Sequence, residues 1–142
     1  MAGTVVRVIP KRTLDFTAVS SGTSQAQEIV LAQGIDISNW REVSLMVRTH
    51  SVSNLGSGLG NKIEINAYLE GRTSEDPGIL FATVIPAATV TIDFNTVAPS
   101  YTVSSVGSNI GAMLKIAAKG TRTLSATNIR ADVSIDLSLK SA

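Results

Sequence analysis

The sequence predicts an all-β fold: an antiparallel β-sandwich, jelly-roll-like, with about eight or nine strands. The first observation is an unbroken alternation of apolar and polar residues over positions 129–139. Successive side chains of a strand point to opposite faces, so this pattern predicts a strand with one face in the core and the other in water. The same alternation recurs at positions 42–51 and 62–70. No segment keeps the period of a helix, and only positions 25–33 compete as a short helical segment.

The first half of the chain is predicted to contribute four strands before a long loop. Residues 4–9 and 13–19 are rich in β-branched side chains, and Pro10, which has no N–H group, is expected to separate them. Residues 26–32 form the third predicted strand, which Gly34 is expected to end. In the fourth, residues 42–51, one face is expected to enter the core, and its members are Val43, Leu45, Val47 and Thr49.

The second half repeats the pattern after a loop rich in glycine and serine at positions 51–61. Residues 62–70 are predicted to form a hairpin with the preceding strand, and Pro77-Gly78 indicates a turn. The remaining predicted strands are residues 79–84, 90–94, 101–104, 112–119 and a closing strand from 127 onward. Because these short segments leave no room for crossover helices, antiparallel pairing within a single domain, residues 1–142, is expected.

The composition excludes several functional classes. The chain of 142 residues has 12 Lys and Arg against 11 Asp and Glu, so its net charge of +1 provides no electrostatic attraction for nucleic acid. The absence of cysteine removes disulfides, thiolate nucleophiles and cysteine-based metal sites. Charged residues make up only 16% of the chain, so the predicted surface is largely neutral and polar, which is compatible with close packing between subunits.

The termini and the apolar segments indicate an intracellular product. The first residues, Met-Ala-Gly-Thr-Val-Val-Arg, lack the basic and apolar regions of a secretory signal peptide. The longest apolar stretch, residues 79–92, contains Pro86 and is shorter than the roughly 20 residues needed to span a bilayer. We therefore expect no membrane partner and an intracellular product without a secretory signal peptide.

The glycine-rich segment 56–61 superficially resembles a phosphate-binding loop. Such a loop requires a Lys and a Ser or Thr that open a helix, whereas this segment leads directly into the strand that starts at Lys62. A hairpin tip is therefore the favoured interpretation. Leu55 and Leu59 are unusual there, since apolar side chains at a loop tip indicate a partner surface. Both are candidate interface residues.

Catalytic and metal sites have little support in the sequence. His50 is the only histidine, lies at the end of a strand on its polar face, and is expected to be solvated. Glu75 with Asp76, or Asp93 with Asn95, offer oxygen ligands for calcium, but neither pair belongs to an acidic calcium-binding loop. We predict no catalytic residues, no metal and no cofactor, and expect turn and capping roles for these side chains.

Trp40 and Arg41 precede a predicted strand and are two further candidate interface residues. An exposed tryptophan stacks on sugars or on other proteins, but tryptophan also fills cores and sheet corners, which is the favoured interpretation here. Aromatic residues make up only 4% of the chain, so few rings are available for a carbohydrate-binding platform.

Three stretches carry a family resemblance: residues 35–43, residues 65–78 and the closing strand from Ile129. Together they resemble small accessory structural proteins of tailed bacteriophages, which decorate or stabilise the capsid or belong to the tail. The resemblance implies a compact β-sandwich that assembles symmetrically in the virion. It implies as partners the protein itself, as a trimer if it occupies threefold positions, and the major capsid protein or other virion proteins. The family pattern has no fixed site residues to transfer.

Three functions of different classes follow as hypotheses. The first is a virion structural protein, most of all a capsid decoration protein, with a tail or head–tail component as its variant. The second is a carbohydrate-binding β-sandwich module, which the few aromatic residues disfavour. The third is a hydrolytic enzyme, which one histidine and no cysteine disfavour.

Overall fold

A computed structural model describes residues 3–16, 26–53, 61–71, 81–82, 85–94, 100–108, 113–121 and 129–141. These residues form nine strands and no helix. The strands are β1 Gly3–Asp15, β2 Ala26–Asp36, β3 Glu42–Val52, β4 Lys62–Gly71, β5 Phe81–Ala82, β6 Ala88–Asp93, β7 Ser100–Ser108, β8 Met113–Thr121 and β9 Arg130–Lys140. The all-β prediction is therefore confirmed.

The strands form two antiparallel sheets. Sheet A has the order β1-β9-β3-β7, and sheet B has the order β2-β8-β4-β5, with β6 also paired to β4. The segment that competed as a helix is a strand, because β2 pairs with β8 from Ala26↔Thr121 to Asp36↔Met113. Two antiparallel sheets with a shared apolar core are consistent with a β-sandwich.

The predicted inner rows form that core. On β9 the apolar positions of the alternating segment are 0–7% exposed, and they are Ile129, Ala131, Val133, Ile135, Leu137 and Leu139. The inner row of β3 is buried in the same way, as are Ile63, Ile65 and Ala67 of β4. Since a fully buried aliphatic side chain contributes about 1.5–3 kcal/mol, these rows supply much of the driving force for folding.

The outer rows are less solvated than the alternation predicts. On β9, Ser134 is 1% and Asp136 is 7% exposed, and on β4, Asn66 and Glu70 are 3% exposed. β9 lies between β1 and β3, and β4 lies between β8 and the β5 and β6 segments, so neighbouring strands cover both flanks of these central strands. The prediction of a fully wet outer face was wrong at these positions, because central strands are flanked on both sides and their polar side chains are hydrogen-bonded to other strands.

The sequence predicts strand ends at Pro10 and Gly34, but in the structure both residues lie within strands, at register shifts. Pro10 does not interrupt β1, whose register against β9 shifts between Ile9 and Arg12. β1 is at the edge of sheet A, where a proline costs no ladder hydrogen bond on its free side. Gly34 likewise lies within β2, with φ of 69° inside a register shift, a left-handed conformation that glycine adopts without strain.

Phe16 joins the two sheets at one end of the core. It follows β1, is 2% exposed, and its N–H donates to the carbonyl of Ile129 at 2.7 Å. Its ring lies directly over Gly120 of β8, where an added Cβ would approach the Phe16 Cγ to 2.3 Å and its Cβ to 2.4 Å. Position 120 therefore requires glycine, because Phe16 occupies the space that a side chain would need.

We expect Gly120→Ala to lower the free energy of unfolding by about 1–3 kcal/mol, since the new methyl group overlaps Phe16 and forces the sheets apart. Urea denaturation measures the change. Gly71→Ala is the matched control, because no heavy atom lies within 4 Å of the Cβ position at Gly71. Equal stability losses in the two variants would contradict this account of the Phe16–Gly120 contact.

Candidate functional site

The outer face of sheet A, defined as the face that carries Asp132, Ser134 and Asp136 of β9, holds the first group of polar contacts. Arg7 lies directly opposite Asp136 in the register of β1 and β9. Its Nε donates to Oδ1 of Asp136 at 2.7 Å, and its Nη2 lies 3.4 Å from Oδ2. The Asp136 side chain is 10% exposed, so the guanidinium both neutralises and covers this carboxylate.

Asp132 accepts hydrogen bonds from both neighbouring strands. The hydroxyl of Thr13 on β1 donates to its Oδ1, and the hydroxyl of Ser51 on β3 donates to its Oδ2 at 2.9 Å. These bonds favour the ionised form, so the Thr13 bond first and the Ser51 bond second lower the pKa of Asp132. The carboxylate thereby links three adjacent strands of sheet A.

His50 is bonded to Ser134 on the same face. The distance between Nε2 of His50 and Oγ of Ser134 is 3.0 Å. The pKa of His50 is lowered, first by its partial burial and then by the positive charges of Arg48, Lys11 and Arg7. His50 lies on the polar face of β3 as expected, and its ring is half-buried where it contacts the hydroxyl of Ser134, a residue that is 1% exposed.

The contact between His50 and Ser134 differs from a catalytic pair in one decisive respect. A serine nucleophile needs an exposed Oγ that a substrate can reach, whereas Ser134 is 1% exposed in the middle of a central strand. The pair is best described as a cross-strand hydrogen bond that satisfies a buried hydroxyl. This geometry gives no support to serine-based hydrolysis at His50.

Two shallow depressions of about 210 Å³ each lie along the β3–β9 pair. One is lined by Glu42, Ser44, Met46, Ser138 and Lys140. The other lies toward the opposite end and is lined by Ser51, Val52, Ser53, Arg130, Ala131 and Asp132. Small-molecule sites usually enclose about 300–1,000 Å³, so these open depressions suit contact with another macromolecule better than capture of a small ligand.

Trp40 and Arg41 lie in the connection from β2 to β3. The backbone N–H of Trp40 donates to the carbonyl of Ile37 at 3.1 Å. The Asp36 carboxylate accepts hydrogen bonds from the hydroxyl and the backbone N–H of Ser38, and both bonds lower the pKa of Asp36. Trp40 is half-buried and packs against the core, as favoured from the sequence. The Arg41 side chain is exposed, and the backbone N–H of Arg41 donates to the backbone carbonyl of Lys140 at 2.9 Å.

The other candidate residues are distributed differently. Leu55 and Leu59 lie outside the described residues, as do Glu75, Asp76 and Asn95, so their interface and ligand roles stay predictions. The predicted hairpin of strands 42–51 and 62–70 was wrong, because β3 belongs to sheet A and β4 to sheet B. Asp93 is exposed at the end of β6. Over the described ranges, no group of three or more His, Cys, Asp or Glu side chains is placed to hold a metal ion.

The outer face of sheet B carries a second network, centred on Tyr68 of β4. The Tyr68 hydroxyl donates to Oε2 of Glu28 at 2.7 Å, and since Glu28 is on β2, the phenol spans the intervening strand β8. Burial, followed by the bond to Glu28, raises the pKa of Tyr68 to about 12. The ammonium of Lys115 lies 4.7 Å from the centre of the Tyr68 ring, within the range of a cation–π contact.

Two further bonds complete this face. Asn66 accepts from the Thr89 hydroxyl at 2.8 Å, which joins β4 to β6. Glu70 accepts from the Gly34 N–H at 2.8 Å, which fixes the bulge of β2. No buried side-chain nitrogen or oxygen in the described part of the chain lacks a hydrogen-bond partner. On both outer faces, the buried polar side chains described here are therefore hydrogen-bonded within the protein.

Sequence analysis did not single out Arg7, Tyr68, Glu28 or Glu70. Tyr68 and Glu70 lie at outward positions of the alternating segment 62–70, whereas Arg7 and Glu28 lie in predicted strands for which no inward or outward face was predicted. Their partners are between 36 and 129 residues away along the chain. The missing information was the strand order and register, which set the groups that meet across each sheet.

No protein-family model, no curated protein and no solved structure matches this chain. In the described segments there is also no helix of a length and apolarity that would cross a membrane. The geometry of the described surfaces is therefore the basis for a functional proposal.

We expect Asp132→Asn to lower the free energy of unfolding by about 0.5–1 kcal/mol at about pH 7, because the Thr13 and Ser51 bonds favour the carboxylate. The folded pKa is depressed, so this stability is present above the unfolded value of about 3.9 and is lost as the pH falls through the folded value. Urea denaturation of both proteins over this range measures the difference. A difference that grows as the pH falls would contradict the assignment.

We expect the imidazole of His50 to titrate with a pKa below 6.5 in the folded protein, which proton NMR resolves unambiguously because the chain has one histidine. His50 then contributes stability above its unfolded pKa and loses it as the pH falls through the folded value. Arg48→Gln should raise the measured pKa, whereas Lys115→Gln on sheet B should leave it unchanged. A wild-type pKa at or above 6.5 would show that burial and the neighbouring cations do not dominate.

Proposed function

We propose that this protein is a non-enzymatic structural protein of a virion, and specifically a capsid decoration or stabilisation protein that binds the head surface as a homo-oligomer. The observation that carries the proposal is the character of its outer faces. Both are broad sheet surfaces on which polar side chains are hydrogen-bonded across strands, from Arg7–Asp136 on sheet A to Tyr68–Glu28 on sheet B. Surfaces of this kind suit close contact with other protein surfaces.

The strand order supports a jelly-roll connectivity within this proposal. β5 and β6 both pair with β4, β5 near Glu70 and β6 from Lys62 to Ala67, so they act as two segments of one strand position. Counted as one, they give eight positions with the orders 1-8-3-6 and 2-7-4-5. Two four-stranded antiparallel sheets interleaved in this manner are the arrangement of jelly rolls, which recur in viral capsid and lectin domains.

The fold analogy by itself does not distinguish a virion protein from a lectin. The described site geometry favours the virion protein, because Trp40 is packed against the core and not presented as an open stacking platform. The two depressions are also shallow. The resemblance of residues 35–43 and 65–78 to phage accessory proteins points the same way. The order of the homo-oligomer, a trimer on threefold positions, stays a prediction.

The proposal is tested with virions from the genome that encodes the chain. We expect purified protein to co-sediment with heads that lack it and to raise the temperature at which those heads open. Separately purified tails are the control, and binding to tails alone would assign the protein to the tail. Binding to neither particle would overturn the virion proposal. Glycan-array binding that Trp40→Ala abolishes would replace it with the carbohydrate-binding function.

A further inference from the structure

Two exposed cations flank Ser134 on the outer face of sheet A. Arg48 of β3 lies directly opposite Ser134 in the register of β3 and β9. On the other flank, Lys11 lies in the register shift of β1 between the residues paired with positions 135 and 133, which places it beside Ser134. Both cations are exposed. Two strand spacings of about 4.8 Å separate their backbones by about 10 Å, so their long side chains can meet above Ser134.

His50, which is bonded to Ser134, reports that the two cations lie close together on this face. Burial, and then the positive charges of Arg48, Lys11 and Arg7, lower its pKa, and the charge of a nearby carboxylate has a smaller opposite effect. Like charges around one group repel one another, so this arrangement costs free energy in the isolated protein. A local conflict of this kind is expected at a functional site. The three residues Lys11, Arg48 and His50 are termed the basic row.

Two carboxylates confine the positive charge to this row. Asp132 and Asp136 lie two residues before and two residues after Ser134 on β9, about 7 Å away in each direction. The Asp132 side chain is half-buried and Asp136 is buried, and both are hydrogen-bonded within the sheet. Solvent therefore meets exposed cations at the basic row and recessed, compensated carboxylates on either side.

The other outward cations of the described strands lie beside acids or an aromatic ring. The pairs are Arg130 with Asp15, Lys140 with Glu42, Lys119 with Glu28 and Glu64, Lys62 with Glu64, and Lys115 with Tyr68. In the basic row, by contrast, the register places the neutral Ser134 between the two cations. Within the described strands, an external anion therefore gains most at the basic row.

We propose that the basic row binds the carboxylate of an Asp or Glu side chain on the surface of a partner protein. The inference rests on the proposed function and deepens it, because the partner is then the head surface and the outer face of sheet A is the contact face. A carboxylate above Ser134 accepts from the Arg48 guanidinium and the Lys11 ammonium together. Its charge removes their repulsion and favours the protonated form of His50.

The spacing of the charges favours a protein carboxylate over nucleic acid. Duplex DNA carries one negative charge per about 1.7 Å of its axis, so its phosphates would extend past the basic row and meet Asp132 and Asp136. A single carboxylate fits between those two acids. The net charge of +1 also gives little long-range attraction for a polyanion.

Binding to heads that lack the protein tests the contact. We expect Lys11→Gln and Arg48→Gln each to weaken co-sedimentation with heads by about tenfold, since each leaves the partner carboxylate incompletely paired. Lys119→Gln removes a positive charge from sheet B, is the matched control, and should bind like the wild type. Equal binding by Arg48→Gln and the wild type would overturn the inference and leave the proposed function intact.

The free protein gives a second measurement that needs no virion. Hexaglutamate should raise the pKa of His50 measured by proton NMR, and the double variant Lys11→Gln, Arg48→Gln should abolish that rise. No rise in the wild type would overturn the site. A larger rise with single-stranded DNA of equal charge would replace the carboxylate with a nucleic-acid phosphate. A rise with hexaglutamate in a protein that fails to bind heads would retain the site and reject the proposed function.

Stability separates a binding role of Arg48 from a structural one. Because Lys11 and Arg48 repel each other in the free protein, Arg48→Gln should leave the midpoint of urea denaturation unchanged or raise it. A lowered midpoint would show that Arg48 stabilises the sheet, and would overturn its assignment to a binding site.

Discussion

The position of β9 between β1 and β3 is the constraint on which the rest of this structure depends. Its inner row supplies buried aliphatic side chains. Its outer row supplies the acceptors for Arg7, Thr13 and Ser51 and the hydroxyl that is hydrogen-bonded to His50. The pairing brings the two ends of the chain together, with Gly3 opposite Lys140. Closing so long a loop costs conformational entropy, and the contacts of both rows of β9 offset that cost.

Polar side chains on the central strands make the outer faces specific as well as soluble. Ser134, Asp136, Asn66 and Glu70 are buried on faces that alternation alone assigns to water. Each has a hydrogen-bond partner, so its burial does not carry the cost of an unsatisfied group. The partners are the side chains of Arg7, His50 and Thr89 and the backbone N–H of Gly34. A surface with defined side chains loses little entropy when another protein packs on it, which suits a structural role in an assembly.

Strands β1 and β2, each at an edge of its sheet, carry irregularities that limit pairing with other strands. Pro10 and the shift beside it disrupt one half of β1, and the Glu70 carboxylate holds the bulge at Gly34 on β2. These features remove most opportunities for a foreign strand to pair. The first residues of β1, up to Arg7, are exposed, and a further register shift follows them before Ile9. The edge of sheet A at β1 is therefore irregular from Arg7 onward.

The sequence by itself determined the class of secondary structure and the composition of the core. The alternation at positions 129–139 located β9 and its inner face, and those at 42–51 and 62–70 did the same for β3 and β4, because the two-residue period of a strand is a local property. Positions 25–33 were ambiguous between helix and strand, and the pairing of β2 with β8 from Ala26 onward resolved them as a strand. Only the tertiary structure decided that Pro10 lies in a bulge, that His50 covers Ser134 and that Arg7 meets Asp136. Those outcomes depend on which strands are neighbours and in what register, and the contacts that set them join residues far apart in the chain.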